Sequence, residues 1–429
     1  MSRVAVIGTG YVGLTTGACL AHLGHEVVCA DIDAAKVELL QRGRIPIYEQ
    51  GLEALVGEGI AAARLRFVLG AGPAVAGAEF VFLCVQTPQG ADGSADLRFI
   101  EQASSEIGPQ LATQAVVITK STVPVGSARV VEQALARADV AVVSNPEFLR
   151  EGQAVHDCLN PDRIVIGSDD QSAAAKVAAL YRNLNAPVMI TDPATAETIK
   201  YACNAFLATK VSFVNAIANL CQAVGADVRD VVLGMGYDKR IGFEFLKPGP
   251  GWGGSCFPKD SRALVRIAED AGYNFDLLKG VIAVNDQQFH LLADRIAGLA
   301  GGDLAGAVVA VWGLTFKAGT DDLRDSPAIA VVTQLLARGA TVRAYDPTVT
   351  KALPAHFAHL AVEVAEDPYA ACDGAQVLTV LTEWDEFRWL DFDKVAGTMA
   401  CPVILDARNL LDPATLRRRG FTYEGLGRP

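Results

Sequence analysis

The sequence has no apolar run that approaches the roughly 18 residues of a membrane-spanning helix. Its first residues, MSRVAVIGTGYVG, also lack the apolar segment and small-residue cleavage site of a signal peptide, so we expect a cytoplasmic protein without a membrane partner. Charged residues are only 20% of the chain and hydrophobic residues 51%, a balance that excludes a disordered chain. For 429 residues, two or three globular domains are expected.

Positive charge and metal-binding patterns are also scarce. Lys and Arg number 37 against 49 Asp and Glu, which gives a net charge of −12 and no diffuse positive field for a nucleic acid. A polyanionic ligand would have to be held by a few placed cations, which suits a small phosphorylated metabolite. The six His form no metal-ligand cluster, and the nine Cys include no C-x-x-C pair. The sequence therefore predicts neither a metal site nor a disulfide framework.

Short apolar strands alternate with helical segments through most of the chain. The first βαβ unit comprises a strand at 3–7, a helix at 14–23 and a strand at 26–30, and further strands are predicted at 80–85, 116–119, 140–143 and 163–166. A second unit has a strand at 308–312, a helix at 328–337 and a strand at 341–345, with strands at 377–381 and 403–405 completing its sheet. Residues 195–224 contain neither Pro nor Gly and predict one long helix.

This pattern predicts an α/β protein with two Rossmann-like doubly wound parallel-sheet domains joined by a long central helix. We expect domains at 1–194, 195–298 and 299–429. The second βαβ unit ends in Asp346, as the first ends in Asp31, but its loop LTFKAGTDDLRDSP has no G-x-G-x-x-G. Because that loop carries Lys317 and Arg324, we expect a second, different ligand there. The alternative is a duplicated scaffold without a ligand.

A dinucleotide-binding pattern opens the chain. Gly8, Gly10 and Gly13 form G-x-G-x-x-G between a strand and a helix, where the tight turn, the approach of a pyrophosphate and helix–strand packing each require a missing side chain. Asp31 ends the second strand, about 20 residues further on, where a carboxylate accepts from the ribose hydroxyls and repels a 2′-phosphate. The pattern favours NAD over NADP as cofactor.

One cysteine differs from the others in its surroundings. Most of the cysteines, such as Cys19, Cys29 and Cys84, lie in apolar runs that predict buried, inert thiols. Cys256 instead follows several glycines in PGPGWGGSCFPKD, just before a helix start, where the helix dipole and Lys259 would lower the thiol pKa and make it a nucleophile. A glycine-rich surface turn with an incidental cysteine is the alternative.

Polar residues recur at positions that could face a ligand. Thr122, Glu147 and Glu151 follow predicted strands, and ligands of doubly wound sheets gather at the carboxyl ends of strands, although turn formation explains such residues equally well. On the long helix, three polar residues share one face, and such a stripe by itself is more typical of a solvent-exposed face. These residues are Glu197, Lys200 and Asn204.

Six motifs of the sequence, taken together, closely resemble those of the nucleotide-sugar dehydrogenases, and among these the UDP-glucose 6-dehydrogenases. The motifs are GTGYVG, STVP, NPEFLREG, E-x-x-K-Y-x-x-N, PGPGWGGSCFPKD and FKAGTDDLRDSP. They follow the family's order from Val4 to about Asp346. The resemblance implies an NAD-binding first domain, a central dimerisation domain and a UDP-sugar-binding last domain. It also implies a homodimer and UDP-glucose as the small-molecule substrate.

The resemblance further implies a four-electron oxidation of the sugar C6 hydroxyl to a carboxylate, with a thiohemiacetal and then a thioester on Cys256. Lys200 and Asn204 would stabilise oxyanions, and Lys200 with Asp260 would move protons through ordered water. Glu147 and Thr122 would serve thioester hydrolysis. The catalytic set implied is Cys256, Lys200, Asn204, Asp260, Glu147 and Thr122.

Binding residues are implied in the same way. The cofactor set is Gly8, Gly10, Tyr11, Val12, Gly13, Asp31, Lys36, Thr87, Thr122, Glu151, Lys259 and Arg324. The substrate set is Glu147, Phe148, Leu149, Arg150, Glu151, Lys200, Asn204, Arg240, Phe245, Leu246, Lys247, Pro248, Gly249, Gly253 and Lys317, with Arg240 reaching across a subunit interface.

Other substrates and reactions stay open at this point. TDP-glucose differs from the UDP sugar only in a base methyl, which a pocket discriminates by roughly 1–3 kcal/mol. UDP-N-acetylmannosamine and GDP-mannose are further candidates, although GGSCFPKD resembles the glucose-type motif. Trp252 stands where many relatives carry Phe or Tyr, which could reshape the sugar pocket. A single-hydride 3-hydroxyacid dehydrogenase, or an NAD-binding sensor, would have no use for Cys256.

Overall fold

The computed structural model describes residues 1–90 and 93–428. The chain divides into two compact units, one of Met1–Cys203 with Arg262–Tyr273 and one of Asn204–Ser261 with Asn274–Pro429. Each unit contains its own β-sheet. Within the described residues, no helix is both long and apolar enough to cross a membrane.

The first unit contains an eight-stranded sheet in the order β3-β2-β1-β4-β5-β6-β7-β8. Neighbouring strands are parallel, except that β6 and β7 meet in an antiparallel bridge at Ser144 and Gly167. The order from β3 to β6 is that of dinucleotide-binding doubly wound folds. The strands are β1 (Arg3–Ile7), β2 (Glu26–Asp31), β3 (Leu65–Leu69), β4 (Phe80–Leu83), β5 (Val116–Thr119), β6 (Ala141–Ser144), β7 (Ile164–Gly167) and β8 (Val188–Thr191).

Helices follow most of these strands, as in other doubly wound sheets. The helices that begin in the first unit are α1 (Tyr11–His22), α2 (Ala34–Gln41), α3 (Leu52–Ala61), α4 (Ala71–Val75), α5 (Arg98–Ile107), α6 (Ser127–Leu135), α7 (Ala154–Leu159), α8 (Gln171–Leu180) and α9 (Pro193–Val224). Helix α9 runs without interruption from the first unit into the second, which confirms the predicted long helix.

The second unit contains a six-stranded, all-parallel sheet in the order β11-β10-β9-β12-β13-β14. Its strands are β9 (Val308–Trp312), β10 (Thr341–Tyr345), β11 (Val362–Val364), β12 (Val377–Val380), β13 (Val403–Asp406) and β14 (Thr422–Gly425). The remaining helices are α10 (Val228–Tyr237), α11 (Phe257–Asp270), α12 (Asp276–Leu299), α13 (Pro327–Ala337), α14 (Pro368–Ala371), α15 (Phe392–Thr398) and α16 (Pro413–Arg418). Short 3-10 helices occur at Gly108–Gln110, Ala355–Phe357 and Asp385–Trp389.

Strand periodicity explains how each sheet buries both faces. In β1, Val4 and Val6 join one hydrophobic core, whereas Ala5 and Ile7 join the core on the opposite face. Successive side chains of a strand point to opposite faces, so a strand covered by helices on both sides must be apolar at every position. The predicted fold class, two Rossmann-like sheets with a long central helix, is confirmed.

Candidate active site

The glycine turn between β1 and α1 has the geometry that a pyrophosphate requires. Gly8 adopts a φ of +96°, and a Cβ there would come within 2.7 Å of the Cys84 carbonyl oxygen. A Cβ on Gly13 would overlap the Gly8 carbonyl oxygen. Gly10, by contrast, has no atom within 4 Å of an added Cβ, so the backbone at the start of α1 is open to a close approach.

Asp31 lies at the end of β2 as an ionised carboxylate. Its Oδ2 accepts from Thr9 N at 3.0 Å, Thr9 Oγ1 at 2.6 Å and Lys36 Nζ at 3.1 Å. Burial raises the pKa of Asp31, but the hydrogen bonds from Thr9, Asp33 and Lys36 outweigh burial and hold the pKa below its usual range. An open glycine turn and a charged acid at the second strand fit NAD, whose ribose hydroxyls would donate to this carboxylate.

The matching acid of the second unit is more deeply buried than Asp31. Asp346 is 1% exposed, and its Oδ2 accepts from Leu314 N at 2.8 Å, Thr315 N at 3.1 Å and Trp384 Nε1 at 3.1 Å. Its other oxygen accepts from Thr348 N and Oγ1. Asp31 closes its own turn in a similar way, through Thr9 and Asp33, but Asp346 also accepts from Trp384 and is more deeply buried, so less of its carboxylate is left for a ligand.

A buried ion pair lies on the loop that follows β6. Glu147 Oε1 accepts from Lys200 Nζ of α9 at 2.8 Å, and Glu147 Oε2 accepts from Leu149 N at 2.6 Å. Glu147 is 5% exposed and Lys200 3%. Burial raises the pKa of Glu147, but the charge and hydrogen bond of Lys200, with Lys120 adding to them, hold it below the usual range. The pair is thus an ionised carboxylate and a cation that are both shielded from solvent.

The loop after β5 carries Thr122 and is fixed by two side chains, a hydroxyl that donates and a carboxylate that accepts. Thr87 Oγ1 donates to the Thr122 carbonyl oxygen at 2.9 Å, and both residues are buried. Glu197 of α9 accepts from Gly126 N at 2.6 Å and Ala128 N at 3.1 Å, at the N-terminus of α6. Burial raises the pKa of Glu197, so its hydrogen bonds only partly offset the cost of the buried site. Glu197 positions the Thr122 loop from outside it.

In the second unit, Cys256 lies at the N-terminus of α11, as predicted. Its carbonyl oxygen accepts from Asp260 N at 2.9 Å, which is the first bond of the helix. Asp260 is 1% exposed, and its two oxygens accept from Lys259 Nζ at 2.7 Å and Asn204 Nδ2 at 2.7 Å. The half-buried cysteine therefore begins a helix whose first turn holds a buried acid between a cation and an amide.

The chain before Cys256 is fixed tightly to its own unit. Gly249 N donates to Asn215 Oδ1 at 2.8 Å, and a Cβ on Gly253 would overlap the Asp325 carbonyl oxygen. Phe245 has a φ of 60°, and its ring lies 6.3 Å from that of Phe257. These constraints leave little freedom in the segment that precedes the thiol.

Trp252 is part of this packing. It is 6% exposed, its Nε1 donates to Ser212 Oγ at 2.8 Å, and its backbone N donates to Asn285 Oδ1 at 2.8 Å. Asn285 Nδ2 donates back to the Trp252 carbonyl oxygen at 3.0 Å. Trp252 thus ties the glycine-rich segment to α9 through its indole and to α12 through its backbone.

The loop between β9 and α13 places its two predicted cations as follows. Arg324 forms a bidentate pair with the buried Asp322, at 2.7 Å from Nη2 to Oδ2, and remains 56% exposed. Lys317 Nζ lies 5.7 Å from the centroid of the Phe316 ring. The Phe316 carbonyl oxygen accepts from Arg408 Nη2 at 3.0 Å, so Arg408 holds this loop in place.

Three consecutive parts of the chain match models of one family. Residues 2–185 match its NAD-binding domain, residues 194–287 its central domain and residues 310–413 its UDP-binding domain. The chain belongs to the UDP-glucose/GDP-mannose dehydrogenase family. Membership accounts for the presence of two Rossmann-like sheets with different phosphate loops, since the family's NAD-binding and UDP-binding domains are separate.

Members of the family resemble this chain over its full length. A UDP-glucose 6-dehydrogenase of Rhizobium meliloti is 47% identical over 100% of both chains. Among solved structures, a UDP-glucose dehydrogenase from Pyrobaculum islandicum has a TM-score of 0.92 and 38% identity, covering 100% of this chain and 98% of that one. A UDP-D-ManNAc dehydrogenase from Pyrococcus horikoshii has a TM-score of 0.88 and 27% identity, covering 99% of each.

Other binding residues expected from the family resemblance lie in ordinary local contacts. Tyr11 OH donates to the Tyr48 carbonyl oxygen at 3.4 Å, Arg150 pairs with Asp157 at 2.6 Å, and the 88% exposed Arg240 side chain pairs with Asp238 at 2.6 Å. Their roles toward a ligand stay predictions. Of the remaining residues implied for binding, Val12, Phe148, Leu149, Glu151 and Pro248 are half-buried, Leu246 is buried and Lys247 is exposed.

Two expectations from the sequence need correction. The polar stripe Glu197, Lys200 and Asn204 is not a solvent-exposed face, because all three side chains are buried. Cys19, Cys29 and Cys84 are buried as predicted, but Cys256 is not the only thiol outside the core. Cys158 and Cys203 are half-buried and Cys401 is exposed.

The sequence did not point to Lys120 and Asn145 as residues that position the site, nor to the positioning role of Glu197. Lys120 Nζ donates to Asn145 Oδ1 at 3.1 Å, Asn145 Nδ2 donates to the Val165 carbonyl oxygen at 2.7 Å, and Glu197 holds the Thr122 loop. Asn145 is the first residue of the motif NPEFLREG, and Lys120 directly precedes STVP, so the signal lay in or beside the motifs. Arg163, which follows the second motif, had no such signal.

Proposed function

We propose that this protein oxidises UDP-glucose to UDP-glucuronate with two NAD and one water, through a covalent intermediate on Cys256. The observation that carries the proposal is the position of Cys256 at the N-terminus of α11, beside the buried Asn204–Asp260–Lys259 network. A helix N-terminus stabilises a thiolate, and a thiolate can capture an aldehyde. A dehydrogenase that stops after one hydride would have no use for this arrangement.

Similarity favours UDP-glucose over other nucleotide sugars. The Rhizobium meliloti relative is named for UDP-glucose and shares 47% of its residues, whereas the structure named for UDP-D-ManNAc shares 27%. The segment GGSCFPKD agrees with the glucose-type pattern. TDP-glucose, UDP-N-acetylmannosamine and GDP-mannose are the alternative substrates.

In the proposed mechanism, the sugar C6 carbon loses a hydride in each of two steps, and bound NAD would supply the acceptor. Cys256 adds to the carbonyl carbon of the aldehyde left by the first step, and the C=O π bond becomes the hydroxyl of a thiohemiacetal. Its tetrahedral carbon keeps the C–H bond from which the second hydride departs, and the product is a thioester. Lys200 and Asn204 donate to the oxygen on which negative charge develops, and one such donor in a dry site is worth about 3–4 kcal/mol. Asp260, with Lys200, would move protons through ordered water.

Hydrolysis of the thioester requires a base. Glu147 is an ionised, buried carboxylate, and we assign it, with Thr122, to the water that releases the acid. The glycine turn and Asp31 would hold NAD. We assign residues 1–194 to NAD, 195–298 to dimerisation and 299–429 to the UDP sugar.

The proposal is tested with purified protein, NAD and each nucleotide sugar in turn. UDP-glucose should be oxidised fastest, with UDP-glucuronate identified by mass spectrometry. Cys256→Ala should lose net oxidation while NAD binding, measured by calorimetry, is retained. If the variant made UDP-glucuronate at the wild-type rate, or if UDP-glucose were the poorest substrate, the proposal would be wrong.

We also propose a homodimer formed through α9. Phe206, Phe213 and Leu220 recur every seven residues on this helix and are 65%, 52% and 55% exposed. A repeat of seven keeps apolar side chains on one helix face, and a second copy would cover that face with the same surface. The occupant would be a second copy, because the family resemblance implies a homodimer and the stripe offers an apolar face that only another chain would cover.

A cytoplasmic location is proposed for the same enzyme. The support is the proposed chemistry, since NAD and nucleotide sugars are metabolites of the cytoplasm. Fractionation of cells that express the tagged protein tests it, and recovery with an extracytoplasmic marker would contradict it.

A further inference from the structure

Arg163 is a half-buried arginine whose contacts are unusual for a guanidinium. It lies directly before β7, and its Cζ is 3.6 Å from the centroid of the Phe148 ring. Its Nη2 donates to Cys203 Sγ of α9 at 3.5 Å. Among the described residues, the nearby carboxylates Asp157 and Glu147 pair with Arg150 and Lys200 instead. Stacking on a ring, rather than ion pairing, is therefore its main interaction.

The ring on which Arg163 stacks belongs to the loop of the buried ion pair. Phe148 follows Glu147, and the Lys200 ammonium lies 5.4 Å from the centroid of the same ring. Lys200 in turn donates to Glu147 Oε1 at 2.8 Å. One aromatic side chain thus contacts a stacked arginine and the lysine assigned to the reacting oxygen.

We infer that Arg163 is a positioning residue that acts through Phe148 on the Glu147–Lys200 pair. A planar guanidinium stacked on a ring restricts the ring's rotamers, which a flexible lysine cannot do in the same way. When the Phe148 ring is fixed, the Lys200 ammonium has one favoured position, in contact with the ring and within hydrogen-bond distance of Glu147. A misplacement of about 1 Å in such a pair can cost a hundred-fold in rate. The inference rests on the proposed function for the role of Lys200.

The test compares Arg163→Met, Arg163→Lys and Phe148→Leu with a matched control, Arg129→Met, at an exposed position of α6. Arg163→Met should lower kcat by roughly ten-fold, the size of a desolvated cation–π contact, while KM for NAD stays unchanged. Arg163→Lys should recover little of the loss, because it restores charge without planar stacking. Arg129→Met should behave as wild type.

A double variant decides whether the effect runs through the ring. If Arg163 acts through Phe148, Arg163→Met should add no loss to Phe148→Leu, whereas independent effects would multiply. Full rescue by Arg163→Lys, wild-type kcat in Arg163→Met, or multiplicative losses would each overturn the inference. If Arg163→Met does not fold, Arg163→Lys with and without Phe148→Leu gives the same comparison.

A readout without turnover separates this inference from the proposed function. The coupling between Glu147 and Lys200 can be measured from the unfolding free energies of Glu147→Gln, Lys200→Met and the double variant. That coupling should be smaller in the Arg163→Met background, whatever sugar the enzyme accepts. An unchanged coupling contradicts the inference, whereas failure of the wild type to oxidise any nucleotide sugar contradicts the proposed function alone.

Discussion

At the scale of single residues, the buried Glu147–Lys200 pair links stability to pH. Burial raises the pKa of Glu147, but its pairing with Lys200 holds the pKa below the ordinary value of 4.5. A carboxyl whose pKa falls on folding stabilises the protein above pH 4.5, and that contribution is lost as the pH falls through the folded-state pKa. Glu147→Gln should therefore flatten the decline of Tm below pH 4.5.

Calorimetric scans from pH 7 down to about pH 3 measure this slope. Glu106→Gln, at an exposed position of α5, is the control and should keep the wild-type slope. Parallel curves for wild type and Glu147→Gln would show that the pair has no part in the acid sensitivity of the fold.

Two aspartates at matching positions should respond differently to the same change. Asp31→Asn removes the charge that faces the ribose, and hydrogen bonds to a charged group are worth about 1.5–3 kcal/mol, so NAD affinity should fall roughly ten-fold to a hundred-fold. The preference for NAD over NADP should narrow as well. Asp346→Asn should leave NAD affinity unchanged and lower the Tm, because Asp346 closes a buried turn.

Calorimetric titration with both dinucleotides, and a thermal melt of each variant, make the comparison. Equal losses of NAD affinity in the two variants would contradict the assignment of Asp31 to the cofactor.

At the scale of elements, two glycines of the turn between β1 and α1 serve different purposes. Gly13 is required for packing, and Gly10 leaves room for a ligand to approach. A Cβ on Gly13 overlaps the Gly8 carbonyl oxygen, whereas a Cβ on Gly10 meets no atom within 4 Å. Gly13→Ala should therefore lower the Tm and abolish NAD binding together. Gly10→Ala should fold normally, with a Tm near wild type, but bind NAD weakly because the methyl occupies the pyrophosphate's approach. A large fall of Tm in Gly10→Ala would contradict this division.

Ten strands could be predicted from the sequence, and the four that were missed are the sheet edges, β3, β8, β11 and β14. Central strands such as β4 and β5 are buried at all four positions and read as continuous apolar runs. Edge strands are covered less, as in β8, where Val188, Met189 and Ile190 are 43–47% exposed. Edge strands mix polar and apolar residues because solvent reaches them, so their sequences give only a weak indication of a strand.

The candidate site was predictable where a motif required a backbone shape, and less so where burial came from another element. Cys256 was placed correctly because glycines followed by Pro258 indicate a helix start. The spacing of Glu197, Lys200 and Asn204 favoured a solvent-exposed helix face. Helical spacing shows which residues share a face, but it does not show what covers that face. Arg163 went unnoticed because its partner Phe148 is in another element.

At the scale of the whole molecule, the exposed stripe of α9 predicts the oligomeric state. Phe213→Asp would bury two carboxylates in a two-fold interface and should yield monomers, whereas Trp389→Asp, at a 79% exposed position, should remain dimeric. Sedimentation equilibrium of wild type and both variants measures the mass. A wild-type monomer, or a dimeric Phe213→Asp, would contradict the proposed interface.

The whole-molecule claim is that one chain performs two oxidations on a sugar held at Cys256. The most direct measurement exhausts a limiting, known amount of UDP-glucose with excess NAD and counts the NADH formed. Covalent capture of the aldehyde predicts about two NADH per sugar. A yield of about one NADH per sugar, with the aldehyde released, would contradict it.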